Sequence, residues 1–467
     1  MVITIVILII LATISINAVV GENGLIQSAK NSKDSAENAV DRETGKMNTL
    51  LTEYANIMSE DAGVTEPGDG GGSNPGGGSE PEEPETGNAI DGTLAVGPQL
   101  SDGMTPVKYV NGIGWVKTTE TDTGWYNYSE KQWANIVLGD ATFNTSGSYE
   151  VLDETKTYSM LVWIPRYAYK IASGYHQSSA GNISIVFLDT LNKDKDGVDY
   201  GSKTKYPTVT NNAMDDYVIH PAFLWDGVAL AGFWTGKYET SNNGNKIQIK
   251  GGVQSWGRQV GDIHNICIGM NNSGNSYDLN SADSKVDPHM IKNIEWGAVA
   301  YLSQSVYGIY ADKKGIEENS SNYTGGGNSI TSYRINVGQS TTGNVTGVYD
   351  MSGGAGEFVA AYYNSSDASE DGGASLVNAD ARYKDVYSSY RAPTSGGTFG
   401  DAMWETSSGD SGSSWYGALA HFPSTGNPFF VRGGTNYYGA GIFSYMFHNL
   451  ADYNSVLAFR VVIPVIQ

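Results

Sequence analysis

Apolar and polar residues alternate in short blocks along most of this chain, a spacing that predicts strands joined by turns. Val107 and Tyr109 lead into Asn111-Gly112 and then Trp115, which reads as a hairpin about a tight turn. Met160–Ile171, Val218–Phe223 and Leu230–Ser241 are further apolar blocks. His289–Gly308 breaks the rhythm, because Ile294, Trp296, Val299, Ala300 and Leu302 fit one helix face. Phe429–Val431 and Ala458–Val465 predict two more strands. Between them Tyr, Phe and His alternate with Gly, Ser and Asn. Tyr supplies contact area at small entropic cost, and the small polar residues supply adaptable hydrogen bonds. The insert therefore reads as a recognition surface held between two framework strands. A strand-rich core uses the same aromatics, and about half of them are expected to be spent that way.

The first 91 residues obey other rules. Val2–Val20 is almost wholly apolar and uncharged, close to the roughly 20 residues that cross a bilayer. Beyond it Leu25, Ala29, Ala36, Val40, Met47, Leu50, Leu51, Tyr54 and Met58 recur at helical intervals. Residues 1–60 are thus expected to form a transmembrane helix that continues as an amphipathic one. No basic leader precedes the run and no small-x-small site comes after it, which favours an anchor over a cleaved signal. Residues 61–91 are dominated by Gly, Pro and acids, the composition of a disordered spacer. A Gly-rich coil of about 25 residues spans roughly 25–30 Å. After it we expect a small aromatic β-rich subdomain over 92–159 and a large domain over 160–467.

Charge and cysteine content narrow the function. A formal net charge of -22 repels nucleic acid, so no nucleic-acid partner is expected. Cys267 is the one cysteine, which excludes an intramolecular disulfide and a Cys-rich zinc site. An exported chain without disulfides points to a Gram-positive surface. Cys267 reads as a buried thiol rather than a nucleophile. His176, His220, His264, His289, His421 and His448 are scattered without metal-ligand spacing. No GxSxG elbow or phosphate-binding loop stands in a strand–helix context. The chain is therefore not expected to be an enzyme.

Three resemblances sharpen these expectations. The apolar run ending in GENGLIQSAK (Gly21–Lys30) resembles the N-terminal segment of prepilin-like proteins of Firmicutes. That resemblance implies a helix that packs in a membrane or in a pilus core, with other pilin subunits as partners through residues 2–20. FWTGKYETS (Phe233–Ser241), IKNIEWGAVAYLSQS (Ile291–Ser305), GVYDMSGGAGEF (Gly347–Phe358), RGG (Arg432–Gly434) and FRVV (Phe459–Val462) succeed one another in the chain. Their order resembles the formylglycine-generating-enzyme (sulfatase-modifying-factor) superfamily over about 160–465. It implies an α+β chain whose large domain has a C-type-lectin-like fold. Oxidases of that family use a cysteine pair after the RGG strand, and Thr435–Leu457 has no cysteine. The family's structural calcium ion implies Asp350 and Glu357 as Ca2+ ligands here. Gly354 and Gly356 replace the family's Asn and Trp, and a Gly-rich turn with solvated acids is the competing reading.

The insert itself resembles the variable segment of lectin-like proteins diversified by retroelements. On that resemblance Arg432, Gly433, Gly434, Gly441, Phe443, Phe459, Arg460 and Val461 are framework. Asn436, Tyr437, Tyr438, Ser444, Tyr445, Phe447, His448, Asn449, Asp452 and Tyr453 are then the exposed ligand-binding positions, bordered by Trp404, Trp415 and Tyr416. The resulting expectation is a cell-surface adhesin or receptor-binding protein, anchored in the cytoplasmic membrane or a pilus, with an extracellular protein or glycan ligand. A structural pilin with a decorating head and an enzyme of unrecognised chemistry on the same fold are the alternatives.

Overall fold

Runs rich in Val, Ile, Tyr and Trp form the strands of this computed structural model. It describes residues 96–466 apart from 204, 280–284, 313–314, 371, 392–397, 437 and 450–456. The expected anchor helix (1–60) and spacer (61–91) lie outside the described residues, as do Tyr437, Asp452 and Tyr453. Among the described residues no helix is long and apolar enough to cross a membrane. The described fold is α+β and mostly sheet.

Nine strands make the first sheet, in the order His289–Met290, Val461–Pro464, Gly232–Gly236, Met160–Pro165, Asn135–Val137, Thr105–Val110, Gly114–Lys117, Tyr149–Leu152, Phe143–Ser146. Every neighbouring pair is antiparallel. The hairpin expected about Asn111-Gly112 pairs Tyr109 with Trp115. Met160–Pro165 and Gly232–Gly236 are buried at every position. Burial on both faces explains why they read as continuous apolar runs and not as alternating ones.

Strand pairing crosses the expected boundary between 159 and 160. Asn135–Val137 hydrogen-bonds directly to Met160–Pro165, and both strands belong to the nine-stranded sheet. Trp125 stacks on Trp234 at 6.4 Å, while Trp115 and Trp133 are also buried. These rings find their cover in the large domain, which is why the aromatic segment does not close on itself.

A second, mixed sheet runs Asp385–Tyr387, Gly356–Tyr363, Phe429–Arg432, Tyr445–His448, Leu419–His421, Ser411–Ser413, and Leu457–Phe459 pairs in parallel with Gly356–Tyr363. The chain steps from this sheet to the first at Arg460. The buried Arg460 guanidinium donates to Gly236 O at 2.7 Å and Tyr349 O at 2.9 Å. It also donates to Glu357 Oε1 at 2.5 Å and Oε2 at 3.1 Å. One fully buried ion pair thus pins the two sheets together.

Helix Asn293–Ser303 is buried at every residue, not on one face as its spacing suggested. The reason is close backbone approach: a Cβ at Gly297 would collide with Gly400 O. Glu295 starts the helix by accepting from Lys292 N at 2.8 Å and lies 2.9 Å from His289 Nε2. Burial works against its charge, but His289 and Lys292 outweigh that and hold its pKa down at about 2.

Candidate recognition face

Arg432 ends its strand and organises the loop beyond it. The buried guanidinium donates to Ser444 O at 2.8 Å, to Asn293 Oδ1 and Asp401 O at 2.9 Å each, and to Ala402 O at 3.2 Å. Gly433 and Gly434 then turn the chain with φ of 79° and 69°, values an L side chain resists. Thr435 N donates to Tyr438 O at 2.9 Å, and Tyr438 N donates back to Thr435 O at 3.1 Å. The return path lies on the neighbouring segment, with Gly439 against the Leu419 side chain and Gly441 against Ala418. Tyr445–His448 then runs antiparallel to Phe429–Arg432.

This geometry divides the candidate residues. Tyr438 is 59% exposed, Tyr416 43% and Phe447 41%. Asn449 is exposed, and Asn436, His448 and Trp404 are half-buried. Tyr445 and Ser444 are fully buried, which corrects the expectation that they face solvent, and Trp415, expected to border the face, is fully buried too. Ser407 and Gly409 cover Tyr445, whose hydroxyl lies 2.9 Å from Ser407 Oγ and donates to Gly409 O at 3.1 Å. Trp415 is wedged inward, its Nε1 donating to Gly174 O at 3.1 Å and its ring edge-on to Phe443 at 5.2 Å. Ser444 sits beneath the loop that Arg432 braces.

Phe447 and Tyr438 are each linked to strand Leu419–His421, Phe447 by its ring and Tyr438 through its neighbour Gly439. Leu419 and His421 point to the same side of their strand, on either side of the buried Ala420. Gly439 lies on Leu419, and the Phe447 ring stacks on His421 at 5.9 Å with 11° between planes. Leu419 and His421 are additions to the expected set, although the alternation in Leu419-Ala420-His421 carries the signal. Tyr416 is stacked on Phe443 at 6.3 Å, and its hydroxyl accepts from Gln304 Nε2 at 2.7 Å. Its φ of 62° is unusual for an aromatic residue, a strain of about 1–3 kcal/mol that surrounding contacts must hold. Trp404 belongs to a neighbouring group, stacked on His176 at 3.8 Å and tilted against Tyr390 at 5.0 Å. His448 packs edge-on to Phe358 at 5.5 Å. Asn436 is tied down by its backbone N, which donates to Gly354 O at 3.0 Å.

Asp350 and Glu357 do not fit a calcium site. Calcium needs six to eight oxygens free to turn toward it. Glu357 spends both of its oxygens on Arg460. Asp350 accepts from Gly325 N at 2.9 Å, Asn319 Nδ2 at 3.0 Å and Glu239 N at 3.4 Å. A Cβ at Gly354 would stand 2.5 Å from Glu239 Oε1, so Glu239 fills the space of the family's Asn. Burial raises the pKa of Asp350 to about 6, against the pull of Arg460. Cys267 is buried in helix Val260–Ile268, and burial pushes its thiol pKa up, away from the thiolate a nucleophile requires.

No family model matches the chain, and no curated protein matches it. Among solved structures it is similar to Treponema denticola variable protein 1, at 13% sequence identity over 69% of this chain and 98% of that chain, with a TM-score of 0.22. A TM-score of 0.22 does not establish a shared fold.

Proposed function

We propose that this chain is a cell-surface recognition protein. The apolar run of residues 2–20 anchors it in a membrane or a pilus-like filament, residues 61–91 space it outward, and a C-type-lectin-like head presents a binding face. The order of the motif blocks from FWTGKYETS to FRVV supports the lectin-like assignment. The observation that carries the function is the pair of exposed aromatics Tyr438 and Phe447 beside half-buried Leu419 and His421, over a frame fixed by buried Arg432, Trp415 and Tyr445. Neighbouring exposed aromatics on a rigid support mark interaction sites. Asn436 and Asn449 are uncharged, and none of these residues bears a carboxylate, so an extracellular protein with an apolar, neutral patch is the best match. The test is binding of the full chain to an array of extracellular proteins and glycans. A Tyr438→Ala/Phe447→Ala double variant should lose the captured protein while its melting temperature stays near wild type. Retained binding in that variant overturns the proposal, and capture of glycans alone reassigns the face.

A further inference from the structure

Apart from the recognition face, the structure contains a groove of about 280 Å³, near the lower end of small-molecule sites, roughly 300–1,000 Å³. Three segments build it. They are the hairpin Ser241–Asn243 with Lys246–Gln248, the end of helix Val260–Ile268 with Gly269 and Met270, and the loop 272–277. The floor is apolar, with Ile247, Met270 and Tyr277 buried and Ile266 half-buried. The rim carries the amides of Asn245, Asn272 and Asn275 and the hydroxyls of Ser273 and Ser276. Among the described residues Lys246 is the one charged residue of the lining and no carboxylate takes part.

The groove's shape is held by its own bonds. Tyr277 OH donates to Ile247 O at 2.8 Å, tying the loop to the hairpin. Asn275 Oδ1 accepts from Tyr277 N at 2.8 Å, and its Nδ2 donates to Asn272 O at 2.8 Å. Asn275 is therefore spent on structure. The side-chain amide of Asn272, the Ser273 hydroxyl and the Lys246 amine make no hydrogen bond or ion pair among the described residues. The rim thus offers a donor–acceptor amide, a hydroxyl and an amine over a greasy base.

We propose that this groove binds a saccharide bearing N-acetyl substituents. An acetamido group presents an N–H, a C=O and a methyl in one small unit. The Asn272 amide can pair with the first two, while Ile266 and Met270 receive the methyl. Ser273 and Lys246 remain for ring hydroxyls. A neutral sugar suits a lining without carboxylates, since no fixed negative charge is left facing an uncharged ligand unpaired. The site shares no residue with the face around Tyr438 and Phe447, so the two readings fail independently.

Saturation-transfer NMR on the full chain tests this, with tri-N-acetylchitotriose as probe and cellotriose as its counterpart lacking acetamido groups. Transfer should be strongest at the acetyl methyl and absent for cellotriose. Asn272→Ala should weaken binding at least about tenfold, the equivalent of losing one good polar contact. Ser273→Trp should fill the groove and remove the signal. Both positions are exposed, so the melting temperature should not move. The Tyr438→Ala/Phe447→Ala variant should bind the probe as wild type does. No transfer from chitotriose, equal transfer from cellotriose, or transfer that survives Ser273→Trp overturns the proposal. Loss of transfer in the Tyr438/Phe447 variant alone also overturns it.

Discussion

Truncating Tyr445 separates what supports the recognition face from what forms it. The side chain is 0% exposed. Its hydroxyl lies 2.9 Å from Ser407 Oγ, 3.1 Å from Gly409 O and 3.3 Å from Tyr390 Oη. Replacing a buried aromatic with Ala costs about 3–5 kcal/mol through lost burial and the cavity left behind. Ser407 and Tyr390 keep each other as partners at 2.5 Å, and Gly409 O keeps only the longer contact with Ser407 Oγ at 3.3 Å, so the lost hydroxyl bond adds about 1 kcal/mol. A loss of about 4–6 kcal/mol is a large part of the roughly 5–15 kcal/mol that holds a domain folded. For a domain of this size, at roughly 1–1.5 °C per kcal/mol, Tyr445→Ala should melt roughly 5–8 °C early. Tyr445→Phe keeps the ring and gives up only the hydroxyl bonds, about 1–2 kcal/mol. Tyr438→Ala, at a 59% exposed position, should stay within about 0.5 kcal/mol of wild type. Thermal unfolding by circular dichroism reads all three. The reasoning is refuted if Tyr445→Ala melts with wild type, or if Tyr438→Ala melts as early as Tyr445→Ala.

Buried charge sets two further outcomes. Glu357→Gln removes the carboxylate bonded to Arg460 and leaves its charge only the pull of Asp350 and Glu239, and should cost about 3 kcal/mol in urea unfolding, whereas Glu357→Leu/Arg460→Met should recover most of it; a double variant no better than the single one argues against the pin. The second outcome is a pH dependence. Burial raises Asp140 and Asp385 to about 6, and burial with the Glu405 charge beside it raises Asp401 to about 7. These values exceed the unfolded carboxyl value near 3.9, so the folded state holds the protons more tightly. Their contribution is complete below about pH 4 and is lost as pH rises through 6 to 7. Glu295, held down at about 2, behaves oppositely and loses its contribution only as pH falls toward 2. Buried His220, held at about 3, works against this below pH 6.5, but Asp350 at about 6 and Glu357 at about 7 add to the raised acids and outnumber it, so the melting temperature should be higher at pH 5 than at pH 8, and a fall on moving from 8 to 5 contradicts the assignment.

Strand positions were legible because apolar runs and turn residues are local signals. Asn111-Gly112 marked its hairpin, and Phe429–Val431 its strand. Burial within the insert was not legible, because it depends on distant cover. Tyr445 and Phe447 sit on the same side of one strand, two residues apart, yet one is buried and the other open. Their difference is made by Ser407, which meets Tyr445 from 38 residues earlier. The acids misled for the same reason. A sequence displays Glu357 but not Arg460, 103 residues on, which consumes it. It displays Asp350 but not the backbone N of Gly325. The aromatics of the insert therefore split into anchors and tips. Tyr445 and Phe443, with Trp415, are buried under the loop, while Tyr438 and Phe447 are exposed. That division is what lets the tips change without unfolding the head: a substitution at Tyr438 or Phe447 alters what the face touches, and one at Tyr445 alters whether there is a face.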